Sequence, residues 1–325
     1  MLITASAPGK VILFGEHAVV YGKPAIAVAV NKKAHLTIKE RQDSKLKAHI
    51  KGLDINASLD LENIPTINHE FQRGILKYVL KSWEIIQEKQ KTVPVKGLDI
   101  ILNIEMPIGA GLGSSAAVTV ATLSALNKYY KADLERDEIA NLAYQVELKV
   151  QGAASPIDTT LSTYGGAIYL STNRKAEKLP VKYELPLIIG HTPREGNTEE
   201  LIRIVRKRME KYPNSIKPIF ESIEQVTMEA REALLEGDHE KLGELMNINH
   251  GLLDALGVST PTLSRMIYQA REAGALGSKI TGAGGGGSII AYSPGKTDEV
   301  LQELGKLEKA FQIKLSEEGV TTNIQ

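Results

Sequence analysis

The glycine-rich segment at residues 107–117 constrains the fold of this chain more than any other stretch of its sequence. Gly109, Gly111 and Gly113 follow a strand pattern and run directly into a series of small helix-forming residues. Glycines let the backbone approach an anion closely, and the free N–H groups at the start of a helix can donate hydrogen bonds to it. The segment therefore predicts a phosphate-binding loop, with a plain tight strand-to-helix connection as the alternative.

The spacing of these glycines matches neither of the two common phosphate-binding templates. The Walker pattern ends in Gly-Lys-Ser/Thr, whereas Gly113 is followed by Ser114 and Ser115. A dinucleotide fingerprint needs a different glycine spacing and an acidic residue about twenty positions later. The loop carries no lysine and no carboxylate. The cation, the metal ligand and the base for any phosphate chemistry must therefore come from other segments.

Composition and charge exclude several classes of protein. The chain has 325 residues, enough for two domains, and a formal net charge of zero from 39 basic and 39 acidic residues. No global field therefore attracts nucleic acid or an anionic membrane. The absence of cysteine excludes disulfides, thiol catalysis and Cys-based metal sites, and agrees with a cytoplasmic protein. No signal-peptide pattern and no apolar run long enough for a membrane span are present.

The first forty residues predict short strands broken by glycine and proline, at 11–14, 25–30 and 35–39. Lys10, Glu16 and His17 lie between or beside these strands. Taken singly, a lysine in a loop is usually solvated and a histidine usually serves packing. Together they suggest a binding role only if an anionic group lies nearby.

Helical spacing of apolar residues predicts helices at about 69–90, 114–130 and 136–150, and alternation predicts a strand at 98–104. Glu147 lies beside the apolar stripe of the third helix, where a carboxylate needs a partner. That partner is either a lysine or water at the helix edge, or a metal ion. Asp158 is predicted to lie in a Ser/Thr-rich loop held by Pro156, for which a capping or turn role is the default.

The second half begins with a polar, basic stretch at 172–183 that predicts a crossing between domains. A strand at 185–191 and four helical patterns follow, near 199–211, 218–235, 239–253 and 261–272. The chain then has a strand at 289–292, a helix from about 297 and a last strand at 311–315. Four consecutive glycines at 284–287 require a close approach to a ligand or to an opposing loop.

The order of these segments resembles the GHMP kinase superfamily over nearly the whole chain. The resemblance rests on five segments, at residues 8–22, 107–117, 158–166, 250–258 and 279–287. It implies an α+β fold with two domains and an active site in the cleft between them. The N-terminal domain, 1–180, has a mixed sheet with helices, and the C-terminal domain, 181–325, is a ferredoxin-like α/β domain.

The resemblance further implies an ATP-dependent kinase that phosphorylates the primary hydroxyl of (R)-mevalonate. Asp158 accepts the proton of that hydroxyl, and Lys10 lowers the pKa of the hydroxyl and neutralises charge. The ATP phosphates are bound by the whole loop: Pro107, Ile108, Gly109, Ala110, Gly111, Leu112, Gly113, Ser114, Ser115, Ala116 and Ala117.

A metal site and an acceptor pocket complete what the resemblance implies. Mg²⁺ is held by Glu147 with Ser115, or with its neighbour Ser114. The mevalonate pocket is lined by Glu16, His17 and Thr198. Neither nucleic acid nor a membrane is an implied partner, and the oligomeric state is left open, with a homodimer as one alternative.

Other functions are compatible with parts of this pattern. The phosphomevalonate and sugar kinases belong to the same superfamily, although Val19, Val20 and Tyr21 offer apolar surface where a hexose needs polar groups. A non-catalytic metabolite-binding protein could use the same scaffold. The presence of Lys10, Glu147 and Asp158 together argues against that alternative.

Overall fold

The computed structural model describes residues 1–52, 55–61, 74–89, 96–152, 154–194 and 196–324, which form two β-sheets flanked by helices. The strands are β1 (Leu2–Phe14), β2 (Ala25–Glu40), β3 (Lys45–Ile50), β4 (Ile55–Asp60), β5 (Leu98–Ile104), β6 (Ala167–Leu170), β7 (Ala176–Leu179), β8 (Leu187–His191), β9 (Gly277–Thr281), β10 (Ser288–Tyr292), β11 (Lys309–Ile313) and β12 (Thr321–Ile324). The helices are α1 (Leu76–Lys89), α2 (Ser114–Tyr130), α3 (Arg136–Gln151), α4 (Pro156–Tyr164), α5 (Thr198–Lys211), α6 (Pro213–Glu236), α7 (His239–Ala255), α8 (Pro261–Glu272) and α9 (Thr297–Gly305), with a short 3₁₀ helix at Ala18–Tyr21.

The larger sheet has eight strands in the described part of the chain. Its main order is β12-β1-β2-β5-β3-β4, and β6 and β7 extend it from β2. The β3–β5 pair is parallel, and the other pairs are antiparallel. The smaller sheet is antiparallel throughout, in the order β11-β8-β10-β9. This arrangement confirms the predicted α+β class.

The prediction of short, broken strands in the first forty residues is wrong, because β1 and β2 are each one long strand. They run antiparallel over almost their whole length, with irregularities at Pro8/Gly9 and Ile12/Phe14. Bulges bend a strand and increase its twist without ending the pairing. Proline and glycine therefore shape β1 here instead of interrupting it.

Most of the predicted helices are confirmed with small shifts of their ends. α1 agrees with the helix predicted at 69–90, although positions 69–73 and 90 lie outside the described residues. α6 begins at Pro213 and continues through Pro218, where the helix was predicted to start. The last predicted strand, 311–315, forms two residues earlier as β11. The polar stretch at 172–183 contains β7, which extends the larger sheet.

The prediction that Asp158 lies in a loop is wrong, because the residue belongs to the first turn of α4. The Ser155 side chain caps this helix by accepting a hydrogen bond from the Ile157 backbone N–H at 3.3 Å, and Pro156 occupies the first helical position. Proline is well suited to that position because its missing N–H needs no partner there. Pro156, which was predicted to hold a loop, therefore starts a helix.

Helix α2 is the central packing element of the first half, as its small residues predict. The residues from Ala116 to Leu126 are all buried, on every side of the helix. α2 packs against β1 and β2 on one side and against α1 and α3 on the other. Among the described residues, no helix is both long and apolar enough to cross a membrane.

Candidate active site

The glycine-rich loop connects β5 to α2, as the sequence predicts. Gly109, Gly111 and Gly113 have φ angles of 78°, 75° and 70°, a left-handed conformation that glycine adopts without strain. Gly113 occupies the N-cap position of α2, and no side chain caps the helix there. The N–H groups of the first turn are therefore available to an anion, at the positive end of a buried helix.

Lys10 is held directly against this loop by backbone contacts. Its backbone N–H donates to the Leu112 carbonyl at 2.8 Å. A Cβ atom added to Gly9 would lie 2.6 Å from the same oxygen, so β1 and the loop approach as closely as glycine permits. The Lys10 side chain then passes Gly113 and reaches Asp158, where Nζ lies 3.4 Å from Oδ2.

The Lys10–Asp158 pair is enclosed, but one end of it remains accessible. The side chain of Lys10 is 7% exposed and that of Asp158 is 24% exposed. The two residues come from β1 and α4, which pack against each other. The pair thus presents an ammonium and a carboxylate at one accessible point beside the glycine loop.

A second carboxylate, Glu147 on α3, is buried next to the start of α2. Its Oε2 accepts hydrogen bonds from the Ser115 hydroxyl at 3.3 Å and from the Gln151 amide at 2.9 Å. Its Oε1 is buried without a partner in the described part of the chain. Burial, together with the negative charge of Asp158, raises the pKa of Glu147 to about 7. No ion pair involving Glu147 is present within the described residues, and Lys10 is the nearby positive charge that opposes this rise in pKa.

These groups fit a divalent cation that also binds phosphate oxygens. Ser115 bonds to Glu147, so of the two candidate serines it is the one placed to share a cation with that carboxylate. The described residues contain no cluster of three or more His, Cys, Asp or Glu side chains that could hold a metal alone. Mg²⁺ uses one or two carboxylates, waters and substrate phosphates, whereas a structural zinc site needs four protein ligands.

Glu16 and His17 lie at the junction of the two sheets, in the turn after β1. Glu16 is 1% exposed, and its carboxylate is paired with Lys279 of β9 and accepts from the Asn249 amide at 3.1 Å. The His17 Nε2 donates to the Ala283 carbonyl at 2.8 Å. Burial lowers the pKa of His17, which favours the neutral ring, and the bond to the Ala283 carbonyl places a proton on Nε2.

The glycine cluster at 282–287 lies against the glycine-rich loop at 107–117. Gly282, Gly284, Gly285, Gly286 and Gly287 all have positive φ angles. The Ser288 hydroxyl donates to the Ala110 carbonyl at 2.8 Å, and this bond joins the end of the cluster to the loop. A Cβ added to Gly287 would lie 3.9 Å from the Gly109 carbonyl, so the run approaches the opposing loop, and approach to a ligand stays a prediction.

Thr198 stands apart from the other predicted site residues. It is exposed at the start of α5, directly after the Asn197 cap. No hydrogen bond or ion pair links it to another predicted site residue over the ranges described. The nearby Gly196 packs tightly against the Gly284 carbonyl, so the start of α5 borders the glycine cluster.

Sequence reasoning assigned no role to four residues that contact the predicted site. Lys279 and Asn249 bond to Glu16, and Gln151 bonds to Glu147. Tyr78 is 6% exposed and contacts Ser115 and Gln151 through its hydroxyl. None of the four carried a clear signal in the sequence, because even Lys279 lies in a strand, Gly-Ser-Lys-Ile-Thr, whose composition does not indicate burial.

Gly113→Ala is expected to lower kcat/KM by about 10-fold or more, because the alanine would displace Lys10. The added Cβ would lie 2.9 Å from the Lys10 Cγ. Gly295→Ala is the matched control, since Gly295 has a similar φ of 74° but no atom within 4 Å of an added Cβ. Steady-state kinetics and thermal unfolding of both variants test this. Equal activity loss in both would contradict the displacement of Lys10.

His250 on α7 is expected to make the protein less stable in mild acid. It is 5% exposed, its Nδ1 has no hydrogen-bond partner among the described residues, and burial with the nearby positive charges of Arg271 and Lys279 lowers its pKa to about 4. Because the unfolded-state pKa is about 6.5, the stability contributed by the neutral ring is present above that pH and is lost as the pH falls towards 4.

The contribution of His250 to the free energy of unfolding should fall by about 2 kcal/mol between pH 7 and pH 5. Urea unfolding of His250→Asn should therefore show a smaller decrease over this range than the parent. His49→Asn, which changes an exposed imidazole, serves as the control. If the parent and His250→Asn lost stability equally, the assignment to His250 would be wrong.

Comparison with known proteins identifies relatives of the whole chain. Residues 77–166 match the family model described as GHMP kinases N terminal domain, and residues 230–310 match GHMP kinases C terminal. A protein of Methanothermobacter thermautotrophicus named mevalonate kinase is 43% identical over 98% of this chain and 100% of its own length.

Solved structures give the same result. The Methanococcus jannaschii mevalonate kinase has a TM-score of 0.85 and 36% identity, covering 97% of this chain and 98% of that one. The L. major mevalonate kinase in complex with R-mevalonate has a TM-score of 0.83 and 26% identity, covering 96% of this chain and 95% of that one.

Proposed function

The chain belongs to the GHMP kinase family, together with the mevalonate kinases, and from this premise we propose how it acts. It transfers the terminal phosphoryl group of ATP to the primary hydroxyl of (R)-mevalonate, giving 5-phosphomevalonate and ADP. The observation that carries the proposal is the Lys10–Asp158 pair, 3.4 Å apart beside the glycine loop. An acid–base pair at the end of a phosphate-binding loop suits an alcohol acceptor.

Asp158 and Lys10 act on the acceptor hydroxyl. Phosphoryl transfer has a loose transition state, so the alcohol needs little deprotonation before it attacks. Asp158 orients the hydroxyl and takes its proton late, while the Lys10 ammonium stabilises the negative charge that develops on the transferring group. Their enclosure strengthens both effects, because surrounding water screens the charges less.

Glu147 and Ser115 are the residues that hold Mg²⁺ in this proposal. The unpartnered Glu147 Oε1 and the raised pKa of this carboxyl both support a role for Glu147 as a cation ligand. When bound, Mg²⁺ neutralises charge on the ATP phosphates and fixes their orientation. The backbone N–H groups of residues 107–117 bind the phosphates from the other side.

The acceptor site lies in the cleft between the two sheets. We assign Lys10, Glu147 and Asp158 to an N-terminal domain, 1–180, and the glycine cluster to a C-terminal domain, 181–325. Glu16, His17 and Thr198 remain the proposed lining of the mevalonate pocket. A cytoplasmic location and a homodimer remain compatible with this proposal.

An acceptor panel tests the proposed function. ADP release is followed with (R)-mevalonate, 5-phosphomevalonate, galactose and homoserine, each with and without Mg²⁺. We expect mevalonate to exceed the other acceptors in kcat/KM by about 100-fold or more, because a site built for one set of polar groups rejects others strongly. A preference for galactose or phosphomevalonate would overturn the substrate assignment, and absence of turnover with all four would overturn the kinase proposal.

Glu147→Gln is expected to raise the Mg²⁺ concentration for half-maximal turnover by about 10- to 100-fold. The amide keeps a hydrogen-bonding oxygen for Ser115 but loses the anionic ligand. Glu138→Gln on the same helix is the control, because glutamine preserves the capping box that Glu138 forms with Glu135. Mg²⁺ titrations at saturating ATP measure the effect. An unchanged Mg²⁺ requirement in Glu147→Gln would exclude Glu147 as a ligand.

A further inference from the structure

A buried polar cluster joins the turn after β1 to the smaller sheet. It consists of Glu16 from the turn after β1, Lys279 from β9 and Asn249 from α7, which are 1%, 0% and 0% exposed. The Lys279 ammonium pairs with Glu16 Oε1 and also donates to the Ile280 carbonyl at 2.6 Å. The Asn249 amide donates to Glu16 Oε2 at 3.1 Å. These bonds connect segments that are far apart in sequence.

Both oxygens of Glu16 are therefore occupied by protein groups. Burying an ammonium and a carboxylate is unfavourable, and the pair is tolerated because each charge is matched and hydrogen-bonded. An acceptor carrying its own carboxylate, such as mevalonate, would be repelled by a free Glu16. The cluster removes that repulsion, and Glu16, at 1% exposure, has almost no surface for a direct contact with the acceptor.

The cluster instead fixes the residue next to Glu16. His17 has a φ angle of 61°, which is uncommon for a residue other than glycine and persists only where the surroundings impose it. Its Nε2–H bond to Ala283 and the bonds of Glu16 tie two consecutive residues to the second sheet and the glycine cluster. With the proton on Nε2, the His17 Nδ1 can accept a hydrogen bond from a substrate hydroxyl.

We propose that Lys279 and Asn249 are positioning residues for the acceptor pocket, which hold Glu16 and, through it, His17 in the orientation that binds the substrate. This inference rests on the proposed function and deepens it, because it moves Glu16 from substrate contact to support. Lys279 acts through Glu16 and touches neither ATP nor the acceptor.

A double-mutant cycle in Glu16 and Lys279 tests this. The variants are Glu16→Gln, Lys279→Met and the double variant, each measured for kcat, for KM with mevalonate and for the Kd of MgATP by calorimetry. We expect each single variant to lower kcat/KM for mevalonate by about 10- to 100-fold, mainly through KM, because the pocket is displaced and the phosphate loop is not. The Kd of MgATP should change by less than about threefold.

Lys279→Met in the Glu16→Gln background should add less than about threefold to the effect, because the two residues act as one unit. This comparison also covers the case in which Lys279→Met alone does not fold, since the double variant buries no unpaired charge. Asn249→Ala should also raise KM for mevalonate, as the two single variants do. Lys23→Met is the matched control, because Lys23 joins the same turn region to Glu224 of α6 at 2.5 Å without touching Glu16 or His17.

The proposal would be overturned if the effects of the two single variants were additive. It would also be overturned if MgATP affinity fell as much as KM for mevalonate rose, because Lys279 would then contact a ligand directly. If Lys23→Met had the same effect as Lys279→Met, the cluster would have only a general structural role, and the proposal would be overturned as well. The acceptor panel separates this outcome from failure of the proposed function. If another acceptor is preferred there, the same cycle is measured with that acceptor.

Discussion

Asp158→Ala is expected to lower kcat by about 10²- to 10⁴-fold while MgATP still binds. The carboxylate is the only acidic group paired with Lys10 among the described residues, at 3.4 Å, and its removal leaves the acceptor hydroxyl without an orienting base. Nucleotide binding should persist because the loop proposed to bind the phosphates connects β5 to α2, whereas Asp158 lies on α4. Asp158→Ala removes a negative charge that lies near the ATP phosphates and Glu147, so the change should not weaken the binding of MgATP.

The test compares Asp158→Ala and Asp158→Asn with the parent by ADP release and by calorimetry with MgATP. Asp158→Asn keeps the shape of the side chain and should lose kcat to a similar extent, which separates charge from packing. Asp137→Asn is the control, since Asp137 lies on α3 and bonds to Tyr164 at the surface. Turnover of Asp158→Ala at the rate of the parent would show that Asp158 is not the base.

Lys10→Met is expected to lower kcat by about 10²- to 10³-fold, the usual cost of removing one preorganised group that stabilises transition-state charge. Methionine occupies a similar volume along the path past Gly113, so the loop should keep its form. Asp158 would lose its positive partner, and Glu147 would lose a charge that lowers its pKa. The Kd of MgATP should weaken much less than kcat, because the loop binds the phosphates mainly through its backbone.

Single-turnover rates at saturating substrate measure this loss without interference from product release. Lys33→Met is the matched control, because Lys33 lies on β2 and pairs with Glu318 at 3.0 Å away from the site. Lys10→Arg should recover only part of the activity, since the larger guanidinium must pass the same close approach to Gly113. A kcat for Lys10→Met within about threefold of the parent would exclude an electrostatic role in the transfer step.

Local sequence patterns predicted the elements that carry the site. The strand before the glycine loop and the helix after it were predicted from alternation and from small residues, and both form as β5 and α2. Glu147 was predicted to lie beside a buried stripe, and it does, because helical periodicity fixes the face on which a side chain lies. These features depend on residues within one or two turns of each other.

Features that depend on distant partners were not predicted. Glycine and proline usually end strands, so β1 was divided, although its pairing with β2 overrides the local preference. Asp158 was assigned to a loop because Ser155 and Pro156 resemble a turn as much as a helix start. The pairing of Glu16 with Lys279 brings together two charges that sequence rules place at the surface.

The pairing of β12 with β1 determines when one edge of the larger sheet is completed during translation. Ile3 lies opposite Ile324, so one edge of β1 is completed by a strand that lies more than 300 residues later in the chain. During translation that edge exposes unpaired N–H and C=O groups while the rest of the sheet assembles, and such edges recruit other chains. The edge of β1 therefore stays open to other chains until β12 has been synthesised and has paired with it.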